Sequence, residues 1–541
     1  MRSQTMWQIP LLLGVALQTA STASAPAAPI TAPAKIVAPA VVVAPAVIPT
    51  AAPVVKSTAP IVKSAAPIDT ATLLKQIDDL KGQVARIAKK QREAEEKHET
   101  THKIEDAKMN ILQARQTSQW PEGFFDIQGT NSAIKIGGRI KVDGSYSGGQ
   151  KSGNAGDSMF VRTLPLKGAD QKAGKSGHFN GTLQGSRIHL STITRTAKGD
   201  VKGYIETDFG GTPNGPSYTS ATGSTSTQYG VRLRHAYVTW EELLVGQTTT
   251  NFYDADSFHT FLDNLNVITA PRIAQVRWSQ KLVDGLSLHV SAEKPNTDYY
   301  DRSAALLDNA NAGKSPLPDF TARLRYEGKM GFVSLRGIVR SLQVQTGAGD
   351  TYASNTATNI IPNFSSRQTG WGLGLSGQLN TAKKSNIFGM INVGDGLGQI
   401  VDDATGQAAY LQLTGSTDST AMKARFPNRF ATTTVVNTVL GYEHWWTEKL
   451  RTTIMGTYTK IKNPSFAPIL TTSTQLNSTV KRAVANVIYS PVKNIDVGLE
   501  VYYGIRKTIS GVDTLNGTTY YNHAGNEGKC TQVMTSFIYR F

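Results

Sequence analysis

The chain has 541 residues, 39% of them hydrophobic, with a mean hydropathy of -0.25 and a single cysteine, Cys530. These values exclude a helical membrane protein, which needs runs of about 20 apolar residues, and an intramolecular disulfide. They leave a transmembrane barrel open, because its strands need only about ten residues of alternating polarity. The formal charge of +16 points to nucleic acid, an anionic membrane or anionic solutes. Lys and Arg are spread through strand-like segments rather than gathered on a tail or helix, which argues against nucleic acid.

Arg2, an apolar stretch from Ile9 to Leu17 and the small residues ending Ser21-Thr22-Ala23-Ser24-Ala25 read as a secretory signal peptide over 1–25, cleaved after Ala23 or Ala25. Residues 26–68 are nearly all Ala, Pro, Val and Ile. Recurring prolines block both helix and sheet pairing, so this stretch predicts an extended tether in the periplasm. Contact between its lysines (Lys35, Lys56, Lys63) and the cell wall is a further expectation. Residues 69–118 change to Leu, Lys, Glu, Gln and Ala. Leu73, Ile77, Leu80, Val84 and Ile87 alternate spacings of four and three, the seam of a coiled coil, with an isolated amphipathic helix as the alternative. His98 and His102 lie one helical turn apart and suit a solvated face better than a metal site.

Residues 119–541 read as short alternating strands. Ala133 to Tyr146 is the clearest, with Ile134, Ile136, Ile140 and Val142 on one face and Lys135, Arg139, Lys141 and Asp143 on the other. Connections are unequal: brief at Pro491-Val492-Lys493-Asn494, long and polar at 210–229 and 346–366. Short turns on one rim and long loops on the other are the pattern of an outer-membrane barrel. From Phe124 onward, roughly 25 residues per strand and connection gives about sixteen to eighteen antiparallel strands. The chain ends Phe537-Ile538-Tyr539-Arg540-Phe541, with three aromatics on one face, like the terminal signature of bacterial outer-membrane proteins. Trp371, Tyr442, Trp445 and Trp446 fit an interfacial girdle.

Several phrases resemble the DcaP-like family of outer-membrane porins: Ile134-Lys-Ile-Gly-Gly-Arg-Ile-Lys-Val-Asp143, Arg232-Leu-Arg-His-Ala-Tyr-Val238, Leu244-Val-Gly-Gln247, and Ser490 through Glu500 running on to Gly504-Ile-Arg506. The resemblance covers Leu73 to Phe541. It implies a homotrimer of sixteen-stranded barrels in outer-membrane lipid that passes small anions, dicarboxylates among them. Three features depart from the family pattern: Arg139 replaces a common aromatic, Thr249-Thr250 replaces a Trp-containing turn, and the tether is long.

In such a barrel a lipid-facing Arg costs about 2 to 4 kcal/mol near the midplane, so Arg alternating with apolar residues faces the lumen. This test selects Lys135, Arg139, Lys141, Arg277, Arg323, Arg325, Arg336, Arg340, Arg482 and Arg506 as solute contacts. Arg232 and Arg234 join them only if a bulge or a strand end intervenes, since the same parity puts Val238 and Trp240 inside and His235 outside. Arg187 joins them although Ile193 breaks its pattern. The competing role for half or more of these is pairing with wall carboxylates such as Glu206, Asp208 and Glu327. By resemblance to sixteen-stranded porins, the loop after the fifth strand, carrying Asp254, Asp256 and Asp263, narrows the lumen; from the sequence alone an external loop is equally open. The sequence has no zinc-spaced Cys/His cluster, phosphate loop or nucleophile elbow, so neither cofactor nor enzymatic activity is expected. The alternative function is an envelope-linking structural barrel with little or no transport.

Overall fold

The computed structural model describes residues 70–117 and 120–541, except 149–159, 168–176, 212–229, 254–261, 263–270, 302–312, 347–350, 355–356, 361–362, 383, 414–426, 467–475, 510, 516–518 and 524–525. The signal peptide and tether expected over 1–68 lie outside the described residues. Thr70–Thr117 is a single helix, α1, of 48 residues, about 70 Å long at 1.5 Å per residue. Ile77, Leu80, Val84 and Ile87 are exposed along it, so the predicted seam is uncovered on this chain. No described helix is long and apolar enough to cross a membrane.

Sixteen antiparallel strands form a closed barrel. They are β1 (Ser132–Gly148), β2 (Arg187–Thr196), β3 (Gly199–Gly211), β4 (Gly230–Trp240), β5 (Leu243–Thr249), β6 (Arg272–Val283), β7 (Leu286–Glu293), β8 (Asp319–Gly328), β9 (Gly331–Gln345), β10 (Ser365–Ala382), β11 (Ser385–Asp395), β12 (Thr434–Trp445), β13 (Leu450–Lys462), β14 (Asn477–Tyr489), β15 (Ile495–Thr508) and β16 (Glu527–Arg540). Connections after the even strands are brief, from 197–198 to 490–494, and those after the odd strands are long, including 149–186, 250–271 and 396–433. The start of β1 and the end of β16 both lie on the short-turn rim, the periplasmic side of such a barrel.

Closure joins β1 to β16 in register from Arg139 opposite Arg540 to Gly148 opposite Thr531. Phe541 extends the seam: its amide donates to the Gly138 carbonyl at 3.2 Å and its carbonyl accepts from the Gly138 amide at 3.0 Å. Gly138 is required here, because a Cβ would lie 2.9 Å from the Phe541 ring and 2.3 Å from the Arg187 carbonyl. Phe537, Tyr539 and Phe541 are all exposed on the outer wall.

Two irregularities in the alternation have physical causes. The β3–β4 register slips between Glu206 and Thr207, which pair with His235 and Leu233, leaving Arg234 as the extra residue of a bulge. Beyond it the parity reverses, so Val238 and Trp240 are exposed outside while His235 stays on the Glu206 side. Ile193 points inward because Trp120 packs over it together with Ala133 and Phe124. Trp445 departs from the girdle expectation: its indole donates to Glu443 at 2.8 Å and its ring lies 5.2 Å from the Arg451 guanidinium. Deleting Phe541 removes both hydrogen bonds at the seam and is expected to lower the temperature at which the barrel loses its compact mobility in detergent electrophoresis.

Candidate functional site

The inner wall from β1 to β8 is charged. Arg139 of β1 faces Arg187 of β2, Arg187 faces Asp208 of β3, and Asp208 faces Arg232 of β4, so three guanidiniums and one carboxylate share a row. Asp208 accepts from Arg232 at 2.9 and 2.7 Å and from Arg234 at 2.6 Å. Glu206 accepts from Arg234 at 2.7 Å and lies 3.4 Å from Arg187. The bulge therefore turns Arg234 between two carboxylates, where it is buried. Arg139 donates to the Gly185 carbonyl at 3.0 Å. Lys141 is buried against Asp143, and Lys135 sits at the short-turn rim with its ammonium 3.4 Å from the Glu122 carbonyl.

A second row crosses β6 to β9 through Ser279, His289, Arg323 and Arg336. Arg323 and Arg336 are direct cross-strand neighbours, a second Arg–Arg pair. Arg277 lies on the inner face of β6 with its guanidinium 3.5 Å from the Thr249 carbonyl. Arg325 stacks over Phe332 at 4.0 Å and meets the exposed Glu327 at 3.2 Å. Arg139, Arg187, Arg232, Arg277, Arg323 and Arg325 are partly exposed on the inner face.

The opposite wall, β11 to β16, carries an apolar cluster set among buried polar residues such as Arg451, Arg482, Asn486 and Glu500. Phe388, Met390, Val439, Met455, Val484, Ile488, Met534 and Ile538 point inward and are buried. Chain segments from three long loops cover them or pack close by. From 149–186 come Val161 and Leu164, and from 250–271 come Tyr253 and Leu262, all in the same cluster. From 396–433 come Leu397, Ile400, Val401 and Ala404, packed with Phe252, Ile338 and Val435.

Buried arginines fasten these loops. Arg336 donates to the Phe252 carbonyl at 2.6 Å and to Asn392 at 3.1 Å, and its guanidinium lies beside the Phe252 ring. Arg340 donates to Asp319 at 3.0 Å, to the Gly396 and Leu397 carbonyls at 2.7 and 2.8 Å, and to the Asn296 carbonyl at 2.7 Å. Arg482 is paired with Asp403 and lies 3.7 Å from Asp402, which Arg162 grips with bonds of 2.9 and 3.0 Å. Arg506 donates to the Leu164 carbonyl at 3.0 Å and to Asn477 at 2.6 Å. Arg336, Arg340 and Arg482 therefore face inward as the alternation predicts, yet their guanidiniums are occupied by loops and not turned to the open lumen. Gly372 makes room for this packing, since a Cβ there would lie 2.6 Å from Leu397 and 3.3 Å from Phe252.

The loop after β5 enters the lumen at both of its described ends. Glu293 accepts from the Thr250 hydroxyl at 2.5 Å and the Asn251 amide at 2.7 Å, while the Leu262 amide donates to Glu500 of β15 at 2.9 Å. Asp254, Asp256 and Asp263 lie outside the described residues. Thr250, one of the departures from the family pattern, is thus an anchor of this loop. Asp298 of the loop after β7 accepts from the Gln399 and Gly406 amides at 2.9 and 3.0 Å, and burial pushes its carboxyl above the usual carboxylate range against the pull of Arg340. Arg162, Asp298, Asp402 and Asp403 have no signal in strand alternation, because they sit on loops whose partners are distant in sequence.

A sequence profile of the DcaP outer membrane protein family matches residues 69–520. The chain belongs to that family. The fold agrees: the outer membrane channel DcaP of Acinetobacter baumannii superposes with a TM-score of 0.55 at 21% identity, covering 77% of this chain and 99% of that one. More distant likenesses are OmpT of Vibrio cholerae, with 9% identity, 77% and 99% coverage and a TM-score of 0.42, and an anion-selective porin from Comamonas acidovorans, with 10% identity, 76% and 100% coverage and a TM-score of 0.42. No curated protein matches the sequence. As a family member the protein is an outer-membrane porin channel. Breaking a buried ion pair by removing one partner costs about 3–5 kcal/mol. Asp403→Asn is therefore expected to loosen the 396–433 loop, read in planar bilayers as more frequent current fluctuations and a larger mean conductance.

Proposed function

We propose that this porin is a diffusion channel preferring small anions, dicarboxylates among them, which move along the arginine-bearing wall of β1 to β8. One observation carries the reading: Arg139 and Arg187, both partly exposed, stand directly cross-strand on the inner face. Like charges placed opposite each other destabilise a sheet, so their presence in an otherwise well-paired wall fits a surface completed by passing anions. Apolar loop packing on β11 to β16 supports this, because it leaves the charged wall as the side where guanidiniums stay half exposed.

Successive inward residues on a strand are about 6 to 7 Å apart. Arg323 and Arg325 on β8, with Arg277 two strands away, form steps between which a dicarboxylate exchanges one carboxylate at a time. Arginine suits this task because its planar fork meets a carboxylate bidentately and its charge persists at any relevant pH. Binding must be strong enough to admit the solute and weak enough to release it, and half-buried guanidiniums meet both needs. The process is passive and involves no catalysis. In the assembly we propose, three copies join through the uncovered seam of α1 in the periplasm, and the Ala/Pro/Val-rich tether extends from it toward the cell wall.

In planar bilayers the protein should show stepwise conductance with anion over cation permeability; a non-conducting barrel would favour the envelope-linking reading instead. The double variant Arg323→Gln/Arg325→Gln is expected to shift the reversal potential toward cation permeability while keeping the barrel folded, and an unmoved reversal potential would remove these residues from the path. Asp254→Lys should alter ion selectivity if the loop after β5 is the constriction, and leave it unchanged if the carboxylate lies away from the path.

A further inference from the structure

The outer wall carries a feature that conduction does not use. Lys460, Lys481, Lys507 and Lys529 lie on four consecutive strands, β13 to β16, close to their long-loop ends, and all four are exposed on the outward face. The registers set them in two rows. Lys481 of β14 and Lys529 of β16 flank Ile505 of β15, and one step nearer the loops Lys460 of β13 and Lys507 of β15 flank Thr479 of β14. With strands about 4.8 Å apart, the members of each row stand about 10 Å from one another, within joint reach of one multivalent anion for side chains as long as lysine. Glu527 takes Lys529 at 2.8 Å and Lys507 at 3.4 Å. Among the described residues Lys460 and Lys481 have no carboxylate partner, and the Lys481 ammonium lies 5.3 Å from the Tyr458 ring centre.

Directly below this belt the wall is hollowed. Gly456 of β13 faces Ala483 of β14, and Ala485 follows on the same face. These small side chains form the floor of an apolar groove of about 870 Å³, bordered by Leu440 and Tyr442 on one side and Val501 and Tyr503 on the other. Ala483 is two residues below Lys481 on the same face, so the groove begins about 7 Å along the strand from the Lys481 backbone. The groove is open along the wall, and its apolar lining suits a hydrocarbon chain.

We propose that this face binds a phosphate-bearing lipid of the leaflet on the long-loop side, its phosphate held by the four lysines and one acyl chain seated in the groove. Both halves of the ligand are matched. The lysines lie where a head group sits at the edge of the hydrocarbon, and lysine is a point-charge donor suited to phosphate. The groove lies where the chain of the same molecule continues inward. A second copy of this chain would instead have to set a carboxylate-rich surface against the lysines at the same height as an apolar ridge filling the groove.

The test uses the full-length protein in phosphatidylcholine nanodiscs doped with bis-phosphorylated lipid A or with its dephosphorylated analogue, retained lipid being quantified by mass spectrometry. The wild type is expected to retain the phosphorylated form about tenfold over the other, a difference of about 1.4 kcal/mol. Lys460→Gln/Lys481→Gln/Lys507→Gln/Lys529→Gln should abolish that preference, and Ala483→Trp, which fills the groove, should weaken retention of both forms. Lys481→Gln/Lys529→Gln makes the same test with less change to the wall and is expected to reduce the preference in part. Unchanged single-channel conductance reports that each variant is folded, since none of these side chains faces the lumen. Equal retention of the two lipids by the wild type, or a preference untouched in the lysine variants, would overturn the proposal. Loss of oligomer in the lysine variants with lipid retention unaltered would overturn it in favour of a subunit contact.

Discussion

A strand in hydrocarbon has no water to satisfy its amides and carbonyls, so every other feature of this molecule depends on closing the sheet on itself. The seam between β1 and β16 does this, and the two bonds between Gly138 and Phe541 carry it to the last residue. Once the sheet is closed, side-chain parity decides environment: one residue meets lipid, the next meets the lumen. Described segments of several long loops fold back into the barrel from one rim. The charged wall, the apolar cluster and the lysine belt are all consequences of the same alternation applied to different strands.

Inside, the same residue type does two jobs, and burial separates them. Arg340 makes four hydrogen bonds to a carboxylate and three carbonyls drawn from two loops and a neighbouring strand. A buried charge tolerates such a place only when its donors are satisfied this fully. Lysine, with one nitrogen, does not span these separated acceptors, whereas the planar guanidinium does. Arg336 and Arg482 fasten the Phe252 turn and the Asp403 turn by the same means. These clamps hold loop residues against the apolar cluster on β11 to β16.

Much of this was legible because strands write their environment locally. Lys135, Arg139 and Lys141 against Ile136, Ile140 and Val142 displayed both faces of β1, and unequal connections displayed both rims. The break in parity after Arg234 required a bulge or a strand end, and the register slip beside Glu206 shows it to be a bulge. Ile193 was legible only as an exception, because the residue that covers it, Trp120, lies far away in sequence. Which inward arginines stay exposed was not legible at all. Arg323 and Arg336 carry the same local pattern, and the difference between them is the Phe252 carbonyl, delivered by a loop more than 80 residues earlier. The inward apolar cluster was equally hidden, since Met455 or Val484 reads as an ordinary interruption of polar alternation until the loops that bury it are in place.

The remaining tension lies in the charge of the open wall. Arg187, Arg232 and Arg234 share Glu206 and Asp208, so this region holds more guanidiniums than carboxylates before Arg139 is counted. Full neutralisation by more wall carboxylates would have given a more stable sheet and a wall without preference. Pairing Arg139 with Arg187 does the reverse: it keeps a local excess of positive potential where field lines are confined by low-dielectric walls. That excess is compatible with a stable barrel because it is confined to the solvated half of the lumen, and because the buried clamps and the closed hydrogen-bond seam supply stability elsewhere. In the proposed reading, anion preference follows from this incomplete charge balance, held in place by the closed barrel.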